Sequence, residues 1–337
     1  MIRLVQISNN ISRRVALVEE PHLRCLENID SAYALAQASL RKEESLSGYA
    51  RKLATGIVLD YDAVYEGRSE WHLLSPIDIP EDQNRVLVSG TGLTHLGSAK
   101  DRQAMHAAAN PQQSEMTDSM RMFQSGLEAG RPPRGEIGIA PEWFYKGNGS
   151  VLQRPFGALV VPAYAEDGGE EAEIAGIYLI SDDAVPHRIG YAIGNEFSDH
   201  KFEKRDYLNL AASKLHNCSL GPELVVGARF DSVSGTARIE RAGKVIWQKA
   251  LSTGEANMCH SLANLEHHHF KFEGHRQPGS IHVHFFGAHA LSFGDGVELQ
   301  DGDWMEIQFD GFGRALRNPI RFAPKNDNAP ITVMEMS

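Results

Sequence analysis

Cysteine is scarce in this chain. The three present, Cys25, Cys218 and Cys259, have no spacing that suits a disulfide framework or a zinc site. A reduced, cytoplasmic protein is the expectation. No hydrophobic run approaches the length of a membrane span, and MIRLVQISNN has no signal-peptide core. Positive charge is in deficit: 33 Lys and Arg face 44 Asp and Glu, a net charge of −11. That balance argues against nucleic acid or an anionic membrane as the main partner. It leaves room for a small anionic substrate held by a metal and a few local cations. An internal repeat, a Walker loop and a dinucleotide fingerprint are all missing as well; the GIG of GEIGIA lacks the required glycines and flanks.

What is present is a succession of short strand patterns. MIRLVQI and RRVALVE alternate like a hairpin about the turn-rich SNNIS. Helical spacing follows from Asp30, a suitable N-cap, through Tyr33, Ala36 and Leu40, and again over 46–54. A proline-punctuated connection leads to a strand at Val86–Val88. From there PEWFYKG, ALVVPAY, EAEIAGIYLI, RIGYAIGNEF, ELVVGARF, ARIERAGKVIWQKAL, SIHVHFF and WMEIQFDGFG read as strands bounded by Gly, Pro, Asn and Asp. Helices are expected near 101–109, 118–127 and 261–269. Many strands with few crossover helices predict an α+β, mainly β chain built on a mixed, largely antiparallel barrel or sandwich.

The chemistry starts in EEAEIAGIYLI. Glu171 and Glu173 are two apart, so on a strand their carboxylates point to one face. Two like charges beside Ile174, Ile177 and Leu179 repel unless a cation joins them, and Mg²⁺ or Mn²⁺ suits carboxylate oxygen. Two glutamates on the wet face of a hairpin would look the same. The turn SDDAVPHR returns the chain to Glu196, at the end of the paired strand. Three carboxylates there would make a facial oxygen set; by itself Glu196 is a polar strand end.

Glu142, after a proline and before aromatics, suits acid/base work if buried, or is a surface glutamate. Lys214 sits among small and apolar residues, where a lysine needs a partner and, if desolvated, serves as a base; alternatively its stem packs and its head reaches water. His95 falls in a Gly-rich strand end, GTGLTHLGSAKDR, where active-site loops occur. The histidines of the last third, among them His282 and His284, lack a zinc spacing, and structural or solvent-exposed roles are expected of them.

In order, GTGLTH, PEWFYK, the E-A-E pair, IGYAIGNEFSDH, CSLGPELV and GDWMEIQFDGFGRALRNPIRF resemble the fumarylacetoacetate hydrolase superfamily over about residues 85–320. PEWFYK and GLTHLGSAKDR are most similar to its branch of 2-keto-3-deoxy sugar acid dehydratases, and the whole chain resembles the AraD-type sugar-acid group. The resemblance implies a small N-terminal α/β domain (1–80), a rolled mixed-sheet catalytic domain (81–337) and a homodimer. It implies Glu171, Glu173 and Glu196 as ligands of Mg²⁺ or Mn²⁺, with Glu196 where the family usually has aspartate. Glu142 and Lys214 match the dehydratase acid/base pair, and Lys146 matches a lysine that usually faces the substrate. Ser198 keeps the family serine, whereas His200 replaces the usual arginine. His95 stands where the dehydratases have tyrosine. Gly287, Ala288 and His289 replace a Gly-Thr turn, which offers His289 to the substrate carboxylate.

The implied activity is metal-dependent dehydration of a 2-keto-3-deoxy pentonate to a 2-keto acid semialdehyde, in non-phosphorylative sugar catabolism. Lys214 is the expected base and Glu142 the expected acid, with the reverse open. The alternative is a metal-dependent C–C hydrolase of a 2,4-diketo-3-deoxy sugar acid that releases pyruvate, with His95 as base. A non-catalytic sugar-acid binder is the third reading, motivated by His200 and the altered turn; the retained trio of carboxylates speaks against it.

Overall fold

The computed structural model describes residues 1–97, 99–100 and 117–336. The N-terminal part holds β1 (Ile2–Ser8), β2 (Arg13–Glu19), β3 (His22–Leu26), α1 (Ala32–Arg41), α2 (Leu46–Lys52), β4 (Ala54–Asp60), α3 (Tyr61–Tyr65) and β5 (His72–Leu73). Then come β6 (Val86–Gly92), α4 (Asp118–Ala129), β7 (Glu142–Asn148), β8 (Leu152–Gln153), β9 (Leu159–Val161), β10 (Ala172–Ile180) and β11 (Pro186–Asn195). Two short helices, α5 (His200–Arg205) and α6 (Leu210–Ser213), precede β12 (Cys218–Leu220) and β13 (Leu224–Val226). The chain ends through β14 (Val233–Arg241), β15 (Lys244–Thr253), α7 (Leu262–Phe270), β16 (Ile281–Phe285), β17 (Trp304–Phe309) and β18 (Leu316–Phe322). The helix expected over 101–109 lies outside the described residues.

The strands form two sheets. The larger runs β4-β3-β2-β1-β13-β11-β10-β16-β6-β7, with β5, β12 and β8 attached off this path; the smaller runs β15-β14-β17-β18-β9. Both are mixed, since β16 runs parallel to β6 and β18 parallel to β9 while most other neighbours are antiparallel. The expected mainly β architecture is therefore present. Strand β1 pairs with β13 as well as β2, so the first residues of the chain share a sheet with the later strands.

The central strand β10 is buried along its whole length, which explains its near-continuous apolar run. Its pleat divides two cores. Ala175, Ile177 and Leu179 join one cluster with β16, β6 and α1, whereas Ile174, Tyr178 and Ile180 join another with β14, β17 and α7. Each such aliphatic side chain contributes about 1.5–3 kcal/mol on burial. By the same alternation Glu171 and Glu173 extend the first face, at the end where its apolar residues stop. Helix α1 starts one residue later than expected: the Ser31 hydroxyl, not Asp30, accepts the Ala34 N–H.

The histidine-rich last third is largely interior, which corrects the solvent-exposed half of the expectation. His282 and His284 lie on β16, flanked on both sides by β10 and β6. Their rings find internal partners: His284 Nδ1 lies 2.9 Å from Ser89 Oγ, and His282 Nδ1 lies 2.8 Å from His269 Nε2. Burial lowers both to a pKa of about 3, so they are neutral core residues. Cys25, Cys218 and Cys259 are free and buried. No helix among the described residues is long and apolar enough to cross a membrane.

Candidate active site

Strands β10 and β11 form an antiparallel hairpin in which Ala172 faces Asn195. The pairing continues one step past the strand ends, because the Glu196 N–H donates to the Glu171 carbonyl at 3.0 Å. Glu171, Glu173 and Glu196 are thereby gathered with one oxygen of each within 4.8 Å of the others, and all three side chains are buried.

Different groups hold each carboxylate. Glu171 pairs with Lys214 Nζ and accepts from His200 Nε2 at 3.1 Å. Against the upward push of burial, these cations keep its carboxyl well below the ordinary range. Glu196 receives Lys214 Nζ at 2.6 Å, Ser198 Oγ at 2.8 Å and an ion pair from Lys146 at 2.5 Å. Burial and the charge of Glu171 still raise it. Glu173 accepts the Gly287 N–H at 2.6 Å, and no ion pair reaches it among the described residues. Burial, Glu171 and Glu196 push its carboxyl well above the ordinary range.

Three buried acids thus face two lysines and one histidine, and Glu173 is left facing like charge. A hard divalent cation fits that donor set, since it would offset the repulsion and use the carboxylate oxygens directly. Two glycines make the arrangement sterically possible. Gly287 has φ +97°, and a Cβ there would fall 2.0 Å from Thr94 Oγ1, so only glycine aims this N–H at Glu173. A Cβ on Gly169 would fall 2.3 Å from His200 Nδ1, which is the room the imidazole occupies.

Strand β7 supplies a second wall. Glu142, Phe144 and Lys146 are at i, i+2 and i+4, and all three are buried on one face. Glu142 Oε2 accepts from Tyr207 Oη at 2.8 Å. The Phe144 ring lies 4.8 Å below Lys214 Nζ. The Lys146 ammonium donates to the carbonyls of Phe197 and Lys214 besides pairing with Glu196. The opposite wall is the segment from His200 to Lys214, which touches Glu171 at both ends and Glu142 through Tyr207.

His95 lies deeper. Its Nδ1 is 2.9 Å from Thr94 Oγ1 and its Nε2 is 3.0 Å from Thr253 Oγ1, and burial lowers its pKa to about 3. His289 is half-buried, with its ring 6.1 Å from that of His95. Tyr207, Phe144 and the contact of His200 with Glu171 were not anticipated. The E-x-F-x-K alternation of β7 carried a signal for Phe144; nothing in the local sequence marked Tyr207.

No family model matches the chain. It is 26% identical over 275 residues to a probable 2-keto-3-deoxyxylonate dehydratase of Haloferax volcanii, which spans 80% of this chain and 82% of the relative. Among solved structures it is similar to 2-keto-3-deoxy-D-arabinonate dehydratase complexed with magnesium and 2,5-dioxopentanoate. That match has a TM-score of 0.69 and 20% identity and covers 95% of this chain and 99% of the other. Fumarylacetoacetate hydrolase from psychrophilic Exiguobacterium antarcticum matches with a TM-score of 0.61 and 17% identity, over 96% of this chain and 100% of the other. The expected similarity to sugar-acid dehydratases is borne out, and the fold is shared with these dehydratase and fumarylacetoacetate hydrolase structures.

Proposed function

We propose that this chain, built on the fumarylacetoacetate hydrolase fold, is a Mg²⁺-dependent hydro-lyase that converts a 2-keto-3-deoxy pentonate to a 2-keto acid semialdehyde. The observation that carries the reading is the buried trio Glu171, Glu173 and Glu196 with Lys214 lodged against two of its members. Its similarity to the Haloferax volcanii relative and to the magnesium-bound arabinonate dehydratase supports the substrate class.

When bound to these carboxylates, Mg²⁺ supplies Lewis acidity to the 2-keto group of the substrate, which acidifies C3–H. Lys214 would take the C3 proton in its neutral form: with Glu171 and Glu196 engaged as metal ligands its ammonium would lose their charge support and shed its proton, while Nζ stays beside them. Glu142 delivers a proton to the C4 hydroxyl, because hydroxide is a poor leaving group. Tyr207 fixes one oxygen of that carboxyl. The C3–H and C4–O bonds break, a C3=C4 bond forms and water departs. Tautomerisation then carries the unsaturation to the C5 carbinol, which becomes the aldehyde.

Phe144 covers Lys214 and excludes water from it. All of these residues lie in 81–337, the part we assign to catalysis, and a homodimer in the cytoplasm completes the proposal. The hydrolase alternative gains nothing from His95, whose two ring nitrogens both meet threonine hydroxyls. The test is to incubate the protein and Mg²⁺ with each enantiomer of 2-keto-3-deoxypentonate and with a 2,4-diketo acid. Loss of one water from the former supports the proposal; pyruvate released from the latter, with no water loss, overturns it.

A further inference from the structure

Resting on the metal reading above, we propose that Lys146 is a positioning residue that never touches substrate and that holds Glu196 and the backbone of Lys214 in register. Its ammonium is enclosed by protein oxygens. An ammonium has three N–H groups and accepts nothing. Lys146 Nζ donates to the Phe197 carbonyl at 2.6 Å and to the Lys214 carbonyl at 2.9 Å. Glu196 Oε1 lies 2.5 Å from the same nitrogen as an ion pair, and that oxygen has no hydrogen-bond partner among the described residues. The lysine side chain is 0% exposed. A substrate oxygen would have to displace one of the two carbonyls and leave it buried without a donor, or part the buried ion pair with Glu196.

The positions of these three oxygens matter as well. They belong to two separate turns, one after β11 and one after α6, and Lys146 itself stands on β7. One cation therefore joins the three segments that carry Glu196, Lys214 and Glu142. The turn after β11 also needs holding. Phe197 has φ +43°, a left-handed conformation that a bulky residue seldom adopts, and its ring is fully buried. Its carbonyl, turned by that conformation, is the one Lys146 takes. Releasing it would let the turn relax and swing the adjacent Glu196 carboxylate off the trio. Groups that orient a metal ligand in this way shift metal affinity or activity about 10–100-fold when removed.

The experiment is Mn²⁺ binding, followed by electron paramagnetic resonance on the intact protein, with kcat and KM measured at saturating metal. Lys146→Met should weaken Mn²⁺ about 10–100-fold and lower kcat at least about tenfold, while KM stays within about twofold. Lys146→Arg keeps the charge, but its planar guanidinium cannot reproduce two carbonyl contacts and the Glu196 pair from one atom, so it should weaken Mn²⁺ as well; it carries the comparison if the methionine variant does not fold. Unchanged Mn²⁺ affinity with KM raised tenfold would show that Lys146 reaches substrate and would overturn the inference alone. A wild type that binds no Mn²⁺ would overturn the metal reading and this inference with it.

Discussion

Replacing Glu173 by Gln should reverse the order of stability between metal-free and metal-loaded protein. Glutamine keeps the shape and can still accept the Gly287 N–H, but it removes one negative charge from the trio. At 4.8 Å, the bound on their spacing, two carboxylate charges repel by about 3.5 kcal/mol at an effective dielectric of about 20. Glu173 already resists ionisation, so the relief is smaller, about 1–2 kcal/mol in the chelated protein. An unfolding entropy of about 2.1 cal/mol/K per residue gives about 0.7 kcal/mol/K for 337 residues. Chelated Glu173→Gln should therefore melt about 1.5–3 °C above chelated wild type. Metal at a hundred times Kd adds about 2.7 kcal/mol to the wild type, or about 4 °C, and almost nothing to the variant. Differential scanning calorimetry in EDTA and then in Mn²⁺ reads both effects. A variant that melts lower in EDTA, or gains as much from Mn²⁺ as the wild type, would refute the idea that repulsion among these carboxylates is what the cation relieves.

Lys214→Met and Glu142→Gln should each lower kcat by about 10²–10⁴-fold, the range for a positioned base or acid, with Mn²⁺ binding retained in Glu142→Gln. Tyr207→Phe should lower kcat about 10–100-fold and the melting temperature by about 2–4 °C, because it removes one hydrogen bond to a carboxylate worth about 1.5–3 kcal/mol. His95, His282 and His284 are neutral in the core with pKa values of about 3, below the ordinary 6.5. Their folded pKa is depressed, so the unfolded chain binds more protons below pH 6.5, and stability falls as pH drops from there toward 3. Each contributes about 1.4 kcal/mol per pH unit across that window, and His284→Gln should make the pH dependence of the urea midpoint shallower by one such increment.

The meeting of the three carboxylates was legible because they sit on one strand and its hairpin partner, where alternation and a short turn decide which side chains meet. Glu171 and Glu173 share a face by period two, and SDDAVPHR is short enough that Glu196 returns beside them. Lys214 declared itself through a neighbourhood that gives a charge no other home. The contacts that fix these groups were not legible. His200 reaches Glu171 from 29 positions away and Tyr207 reaches Glu142 from 65, through a helical segment with no periodicity tying it to either strand. Lys146 illustrates the limit most sharply. Alternation along β7 put it on the same face as Glu142, but only the carbonyls of Phe197 and Lys214 reveal what occupies its donors. The histidines misled for a similar reason, since His282 and His284 look polar but find buried partners, His269 on α7 and Ser89 on β6.

The most direct test titrates Mg²⁺ into chelator-stripped protein while water loss from 2-keto-3-deoxypentonate is followed by mass. The account predicts that dehydration is absent without metal and rises to a plateau at one Mg²⁺ per chain, and that Glu173→Gln abolishes the response. Dehydration that persists in the chelator, or a plateau unaltered by Glu173→Gln, would contradict it.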